Sequence, residues 1–216
     1  SGHRIEVGPL LSADAAATFE PKETSVIAAA PRQRMSDRRG IVLQHKDLTG
    51  GVMQPDGSQP LQFGPWSVQD VSPDRLWAAG DSTSRDGYEV RRIADGAVVL
   101  RIAIKPWVNL AFSPDSRHLV TAGSTEVIVH ECGTWREVAR WPVNVGFQGM
   151  GWVEFSPDGR HLATLHAEGT LALHETADWT PVVHLRPPGP IFQHSGTARF
   201  QWTTDSRRLL VLTHGH

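Results

Sequence analysis

The stretch that decides the fold occurs twice, at residues 107–123 and 151–165. The first copy reads Trp107-Val-Asn-Leu-Ala-Phe-Ser-Pro-Asp-Ser-Arg-His-Leu-Val-Thr-Ala-Gly123, and the second reads Gly151-Trp-Val-Glu-Phe-Ser-Pro-Asp-Gly-Arg-His-Leu-Ala-Thr-Leu165. Each copy joins an alternating strand that ends in Phe to a Ser-Pro-Asp turn and a second apolar strand. Third strands follow at 126–130 and 170–174. The stretch therefore predicts a repeated β unit.

The turn at the centre of each unit has a physical reason. Pro114 and Pro157 fix φ at about −65° in the first central position of a tight turn. Asp115 and Asp158 can bond nearby backbone groups there. The strand that follows is apolar on both faces, which is typical of a strand covered on both sides. Four antiparallel strands in roughly 40–45 residues predict one blade of a propeller.

Working outward from these copies, the same period divides the whole chain. We expect one all-β domain over 1–216, a β-propeller of four-stranded antiparallel blades with four full blades and a partial fifth. The predicted blades cover 10–63, 64–105, 106–143, 144–187 and 188–216. The chain either closes a small ring of about five blades or forms part of a larger propeller, and we favour the second.

The Ser-Pro-Asp-Gly/Ser-Arg-x-Leu pattern resembles that of WD-repeat and related bacterial β-propellers. The chain departs from the family at two points. The Trp-Asp pair that ends the third strand is replaced by His130-Glu131, His174-Glu175 and Arg92-Ile93, and no Gly-His pair opens each repeat. The resemblance implies a rigid recognition or scaffold module that binds a protein or a small ligand. It also suggests the sensor part of a larger signalling protein.

The composition of the chain argues against several classes of function. The formal net charge of −2 argues against a nucleic-acid groove, which needs a clustered basic surface. No apolar run approaches the roughly 20 residues that a membrane-spanning helix needs, so we expect no membrane contact. The single cysteine, Cys132, excludes an internal disulfide and fits a reducing compartment, so we expect a cytoplasmic protein.

The histidines do not form a metal-binding pattern. His118 and His161 recur with the repeat, which indicates a structural role. His214 and His216 are two residues apart, but no Asp, Glu or Cys completes a set at zinc-like spacing. We therefore predict no metal site and no cofactor.

Two tryptophans, Trp66 and Trp107, occupy the same place in the repeat, seven residues before Pro73 and Pro114. The resemblance implies that this place lies at the rim of the central channel, on the face most used for binding. Tryptophan there is a candidate partner-binding anchor, because large amphipathic rings dominate binding hot spots. The alternative, which we favour, is that both rings pack between neighbouring blades.

An arginine-rich segment, 31–40, is expected to join the second and third strands of the first copy. It contains Arg32, Arg34, Arg38 and Arg39. Guanidinium groups bind carboxylates and phosphates bidentately, so the segment is a candidate docking loop for an acidic partner or a phosphate. The matching loop of the second copy, 81–87, contains Arg85, and we expect the two loops to share one face. The alternative is a solvated loop without a partner.

The longest connections between blades, 142–151 and 187–196, repeat a Phe-Gln pair amid Gly and Pro. The residues are Phe147, Gln148, Phe192 and Gln193. Loops on rigid scaffolds often carry function, so these four are candidate ligand-binding residues. The alternative is that duplication of the repeat copied the Phe-Gln pair and that the pair binds no ligand.

No catalytic motif stands out, so we expect a non-catalytic protein. The competing class is a propeller hydrolase with channel-facing carboxylates such as Glu154 and Asp70, since a glycosidase needs two carboxyl groups at about 5–9.5 Å. A third possibility is a homo-oligomer in which the incomplete fifth blade is completed between chains, because an open strand edge pairs readily with another chain.

Overall fold

The structure is a computed structural model that describes residues 41–44, 50–53, 61–62, 66–82, 87–103, 108–143, 152–165, 170–185 and 200–211. These residues form strands and turns without a helix, so the all-β prediction is confirmed for them. Within the same ranges, no helix has the length and apolarity to cross a membrane.

The strands form five antiparallel sheets in which each strand pairs with the next in the chain. Sheet 1 contains β1 (Ile41–Gln44), β2 (Gly50–Met53) and β3 (Leu61–Gln62); sheet 2 contains β4 (Val68–Val71), β5 (Trp77–Asp81), β6 (Tyr88–Arg92) and β7 (Val98–Ile102); sheet 3 contains β8 (Asn109–Phe112), β9 (His118–Ala122), β10 (Glu126–Glu131) and β11 (Glu137–Pro142); sheet 4 contains β12 (Val153–Phe155), β13 (His161–Leu165), β14 (Leu171–Glu175) and β15 (Pro181–Leu185); sheet 5 contains β16 (Phe200–Trp202) and β17 (Leu209–Val211).

The sheets stand side by side through their first strands. β4 lies next to β8, β8 next to β12, and β12 next to β16. Apolar clusters fill the spaces between consecutive sheets. Phe112 and Phe155, which end the first strands of sheets 3 and 4, are buried there. The second strands of sheets 3 and 4 are buried on both faces, as the sequence predicts: Leu119 through Ala122 are at most 1% exposed.

The turns between first and second strands share one hydrogen-bond pattern. In each, a Ser or Thr hydroxyl donates to the Asp two residues later at 2.6 Å and accepts the N–H five residues later. The hydroxyl–carboxylate pairs are Ser72–Asp74, Ser113–Asp115, Ser156–Asp158 and Thr203–Asp205. Burial raises the pKa of Asp115, but the hydrogen bonds from Ser113 and the Arg117 N–H outweigh it, and the net pKa lies below its ordinary value. These aspartates therefore hold turns together.

Gly80, in β5, lies against the backbone of β4, and a side chain there has no room. A Cβ at Gly80 would lie 2.0 Å from the carbonyl oxygen of Ser67. We expect Gly80→Ala to lower the free energy of unfolding by more than about 2 kcal/mol, because β4 must separate from β5. Urea denaturation measures this change.

Gly96 provides the matched control. Its φ of 71° is left-handed, but a Cβ there would meet nothing within 4 Å. Gly96→Ala is therefore expected to lower the free energy of unfolding only by the cost of holding alanine in a left-handed conformation, about 1–2 kcal/mol. Equal losses in the two variants would contradict the steric argument.

Candidate ligand-binding edge

The strands of each sheet end on two opposite sides, which we call the turn edge and the loop edge. At the turn edge, first strands turn into second strands and third strands turn into fourth strands through tight, hydrogen-bonded turns. At the loop edge, second strands lead to third strands, and each fourth strand leads to the next sheet. The described ends at the loop edge are Asp81 and Tyr88, Ile102 and Asn109, Ala122 and Glu126, Pro142 and Val153, Leu165 and Leu171, and Leu185 and Phe200.

Most of the predicted binding residues fall in connections that leave from the loop edge. The residues Arg85, Trp107, Phe147, Gln148, Phe192 and Gln193 all lie outside the described residues. The strands that flank them end at this edge in sheets 2, 3 and 4. Their role in binding stays a prediction, but the topology brings their connections to one side of the molecule.

The arginine-rich segment 31–40 also lies outside the described residues, and so do Arg32, Arg34, Arg38 and Arg39. Two strands, β2 and β3, follow β1 in sheet 1, where the sequence analysis expected only one. β1 lies next to β4, as the first strands of the other neighbouring sheets lie next to one another. The face that we expect this segment to share with the loop that contains Arg85 stays a prediction.

Trp66 is described and is almost fully buried, with 1% of its surface exposed. Its ring packs with Val68, Val71 and Ala78. The guanidinium of Arg91 lies 4.5 Å from its ring centroid, a cation–π contact. These contacts pack Trp66 within sheet 2, and its role as a partner-binding anchor stays a prediction.

A charged cluster that the sequence analysis did not single out lies beside Trp66. Glu89 is 2% exposed, and its Oε2 accepts hydrogen bonds from Arg91 Nη2 at 2.8 Å and Arg91 Nε at 3.2 Å. Its Oε1 accepts from Arg101 Nε at 3.3 Å and from Ser82 Oγ at 3.5 Å. The signal that identifies this cluster is a comparison between copies. The equivalent residues of sheets 3 and 4 are Ile128 and Ala172.

The two carboxylates considered for hydrolysis have structural surroundings. Asp70 Oδ2 accepts the N–H of Phe112 in sheet 3 at 2.7 Å, and its Oδ1 accepts the N–H of Val71 at 2.9 Å. Asp70 therefore links sheets 2 and 3. Glu154 is buried, and its backbone carbonyl accepts the indole N–H of Trp202 in sheet 5 at 3.3 Å.

The recurrent histidines pack against aromatic rings across the boundaries between sheets. His118 of sheet 3 meets Trp179 of sheet 4 edge-on at 5.0 Å between centroids, and His161 of sheet 4 lies 6.0 Å from Trp202 of sheet 5. His174 stacks on Trp141 at 4.5 Å. Among the described residues, no three His, Cys, Asp or Glu side chains converge as metal ligands.

A groove of about 560 Å³ opens at the turn edge between sheets 2 and 3. Asp74, Asp115, Glu131, Trp77 and Cys132 are among its lining residues. Burial, with the nearby carboxylates, raises the pKa of the Cys132 thiol to about 12. The thiol is therefore protonated near neutral pH and is a poor nucleophile.

No protein-family model matches this chain, and no curated protein matches it. Among solved structures, 793 chains match. One is hydrazine synthase of Kuenenia stuttgartiensis, with a TM-score of 0.58 and 16% sequence identity over 80% of this chain and 52% of that one. This likeness shows the fold. With the run of antiparallel sheets, it supports a β-propeller, while this chain spans about half the length of the matched structure.

Removal of the Asp70 carboxylate tests its structural role. We expect Asp70→Ala to lower the free energy of unfolding by about 1–3 kcal/mol, because the Phe112 N–H loses this acceptor at the boundary between sheets. Asp70→Asn keeps an acceptor oxygen and should lose less. Urea denaturation of both variants measures the difference, and unchanged stability in Asp70→Ala would refute this role.

Acidification should lower the free energy of unfolding over a pH range that is set by buried histidines. Burial lowers the pKa of His118, His130 and His174 below the ordinary value of 6.5. The unfolded chain then takes up these protons first, so stability is present above about pH 6.5 and is lost as the pH falls toward the lowered values. The carboxylates with lowered pKa, such as Asp158, act only in a lower window, below about pH 4.

Urea denaturation between about pH 7.5 and about pH 5 tests this expectation. His174→Gln should lose less stability on acidification than the unsubstituted chain. Arg160→Gln, at an exposed position of the same sheet, replaces a residue that does not titrate in this range; it is the control and should keep the full dependence. The histidine explanation fails if His174→Gln keeps the full dependence as well.

Proposed function

We propose that this chain is a non-catalytic recognition module, a WD-like propeller that binds a protein partner or a small ligand through its loop edge. The observation that carries the proposal is the difference between the two edges. At the turn edge, the polar groups bond one another within four turns of the same design. At the loop edge, the repeat is broken by connections of unequal length, and loops on a rigid scaffold are the usual place of binding.

The surroundings of Asp70 favour a structural role for this carboxylate over hydrolysis. Asp70 accepts two backbone N–H groups, one of them from the next sheet. A carboxylate held in this way is suited to fixing the spacing of sheets. The thiol of Cys132, in the groove between sheets 2 and 3, is also kept protonated by burial.

The role in a larger signalling protein, as its sensor part, belongs to the same proposal. The fold itself does not specify it, because one fold hosts many functions. A cytoplasmic location is also part of the proposal, since the single Cys132 requires no oxidising compartment. Completion of sheet 5 by a second copy stays a prediction. Among the described residues, β17 pairs with β16 alone.

The binding test compares variants on the two edges. The immobilised chain is exposed to an extract of its native host, and retained proteins are quantified by mass spectrometry. We expect the double variant Phe147→Ala/Phe192→Ala to retain a specific partner at least about tenfold less, because aromatic anchors contribute most of an interface's affinity. The control variant, Arg117→Ala/Arg160→Ala, changes exposed residues of the turn edge and should retain the partner fully.

Two outcomes would count against the proposal. Equal losses with the double variant and with its control would show that retention does not depend on the loop edge. Retention of the same proteins by the unsubstituted chain and by both variants would show that neither edge binds specifically.

A further inference from the structure

Sheet 2 breaks the repeat by placing two charged side chains where its neighbours have apolar or histidine side chains. Glu89 and Arg91 occupy the third-strand positions of Ile128 and His130 in sheet 3 and of Ala172 and His174 in sheet 4. All four of those neighbours are buried. Where one copy of a repeat departs from the others, the residue often serves a function rather than packing.

The side of the sheet on which this charge lies follows from strand alternation. Tyr88 and Val90 pack with Val108, Leu110 and other apolar residues of sheet 3. Because successive side chains of a strand point to opposite faces, Glu89 and Arg91 lie on the other face. That face is the one toward sheet 1, whose strand β1 lies next to β4.

The cluster carries a surplus of one positive charge, since the single carboxylate of Glu89 faces the two guanidinium groups of Arg91 and Arg101. Arg91 is mostly buried, with 14% of its side chain exposed, and gives Glu89 two hydrogen bonds. Arg101 is 73% exposed and reaches Glu89 only through Nε. The surplus charge is therefore presented at the surface by Arg101.

Arg101 differs from the other exposed arginines in what holds it. Its Nε bonds to a carboxylate that is 2% exposed, while its terminal amino groups meet no other side chain in the described part of the chain. Arg117 and Arg136, of similar exposure, lie 3.9 Å and 3.6 Å from carboxylates that are themselves half-exposed. A guanidinium anchored at one end on a buried partner loses less conformational freedom when it binds a second anion.

The cluster also lies at the loop edge. Arg101 and Glu89 are register partners across β6 and β7, next to the loop between Ser82 and Gly87. Ser82 itself bonds Glu89. The exposed guanidinium therefore lies on the edge to which the proposed function assigns binding.

We propose that Arg101, fixed on Glu89, is a receptor for an oxyanion, namely the carboxylate of an acidic side chain of a protein partner. This inference rests on the proposed function and names the chemistry of the group that the loop edge recognises. The carboxylate accepts hydrogen bonds from the terminal amino groups of Arg101, while Glu89 continues to hold Nε. Arg91 stays in place beneath, stacked on Trp66.

The first experiment uses small anions, which makes it independent of any partner. The arginine Nε–H resonances of the labelled chain are followed by NMR at constant ionic strength during titration with glutarate and, separately, with inorganic phosphate. We expect the Arg101 resonance to shift saturably with glutarate, while those of Arg117 and Arg136 do not. A saturable shift with phosphate alone would overturn the carboxylate assignment, and parallel shifts of all three arginines would overturn the site.

The second experiment separates a fixed guanidinium from diffuse charge. Arg101→Lys keeps the charge but lacks the planar group that can bond Glu89 and a ligand together. We expect Arg101→Lys to weaken binding of a glutamate-rich peptide about tenfold, nearly as much as Arg101→Ala. Arg117→Ala is the control at the turn edge. Full affinity in Arg101→Lys would refute the anchored receptor.

The two proposals fail in different ways. If Phe147→Ala/Phe192→Ala abolishes retention of the partner while Arg101→Ala retains it fully, the recognition function stands and the carboxylate receptor falls. If no partner depends on the loop edge but Arg101 binds glutarate saturably, the receptor stands as a small-molecule site and the protein-recognition role falls.

Discussion

Each turn between a first and a second strand is held by a hydroxyl group that bonds in two directions. It donates to an aspartate and accepts an N–H five residues later, which fixes how the two strands pair. The same turns also link neighbouring sheets. The N–H of Asp74 donates to Ser116 Oγ in the next sheet, and that of Asp158 donates to Ser206 Oγ, both at 2.9 Å. A local device therefore also sets the spacing of the sheets.

The second set of turns, between third and fourth strands, shows how packing between sheets outweighs local strain. Trp135 and Trp179 have φ of 57° and 63°, a left-handed conformation that is unfavourable for a bulky residue. Each ring packs on the preceding sheet, Trp135 against Trp77 and Trp179 against His118. Such strain persists only where the surroundings over-determine the conformation. Gly96 holds the same place in sheet 2 without strain.

The sequence predicted the parts of the fold that local chemistry controls. Proline and aspartate in turns such as Pro114-Asp115 and the alternation of the first strands indicated the repeat, and the sheets follow it. The burial of Glu89 could not be predicted, because Tyr88-Glu-Val-Arg-Arg92 alternates like a strand with one solvent-facing side. The burial of Glu89 depends on contacts beyond the strand itself, such as the ion pair with Arg101 of β7.

The place of function on a common fold is best sought where one copy departs from the others. A buried ion pair is weak support for stability, since apolar residues of similar size often serve as well. Sheets 3 and 4 show that this chain itself uses Ile128 and Ala172 where sheet 2 has Glu89. Stability alone therefore does not account for Glu89. What the charged copy adds is an exposed guanidinium, that of Arg101, held by a buried carboxylate, and the proposed carboxylate receptor rests on this feature.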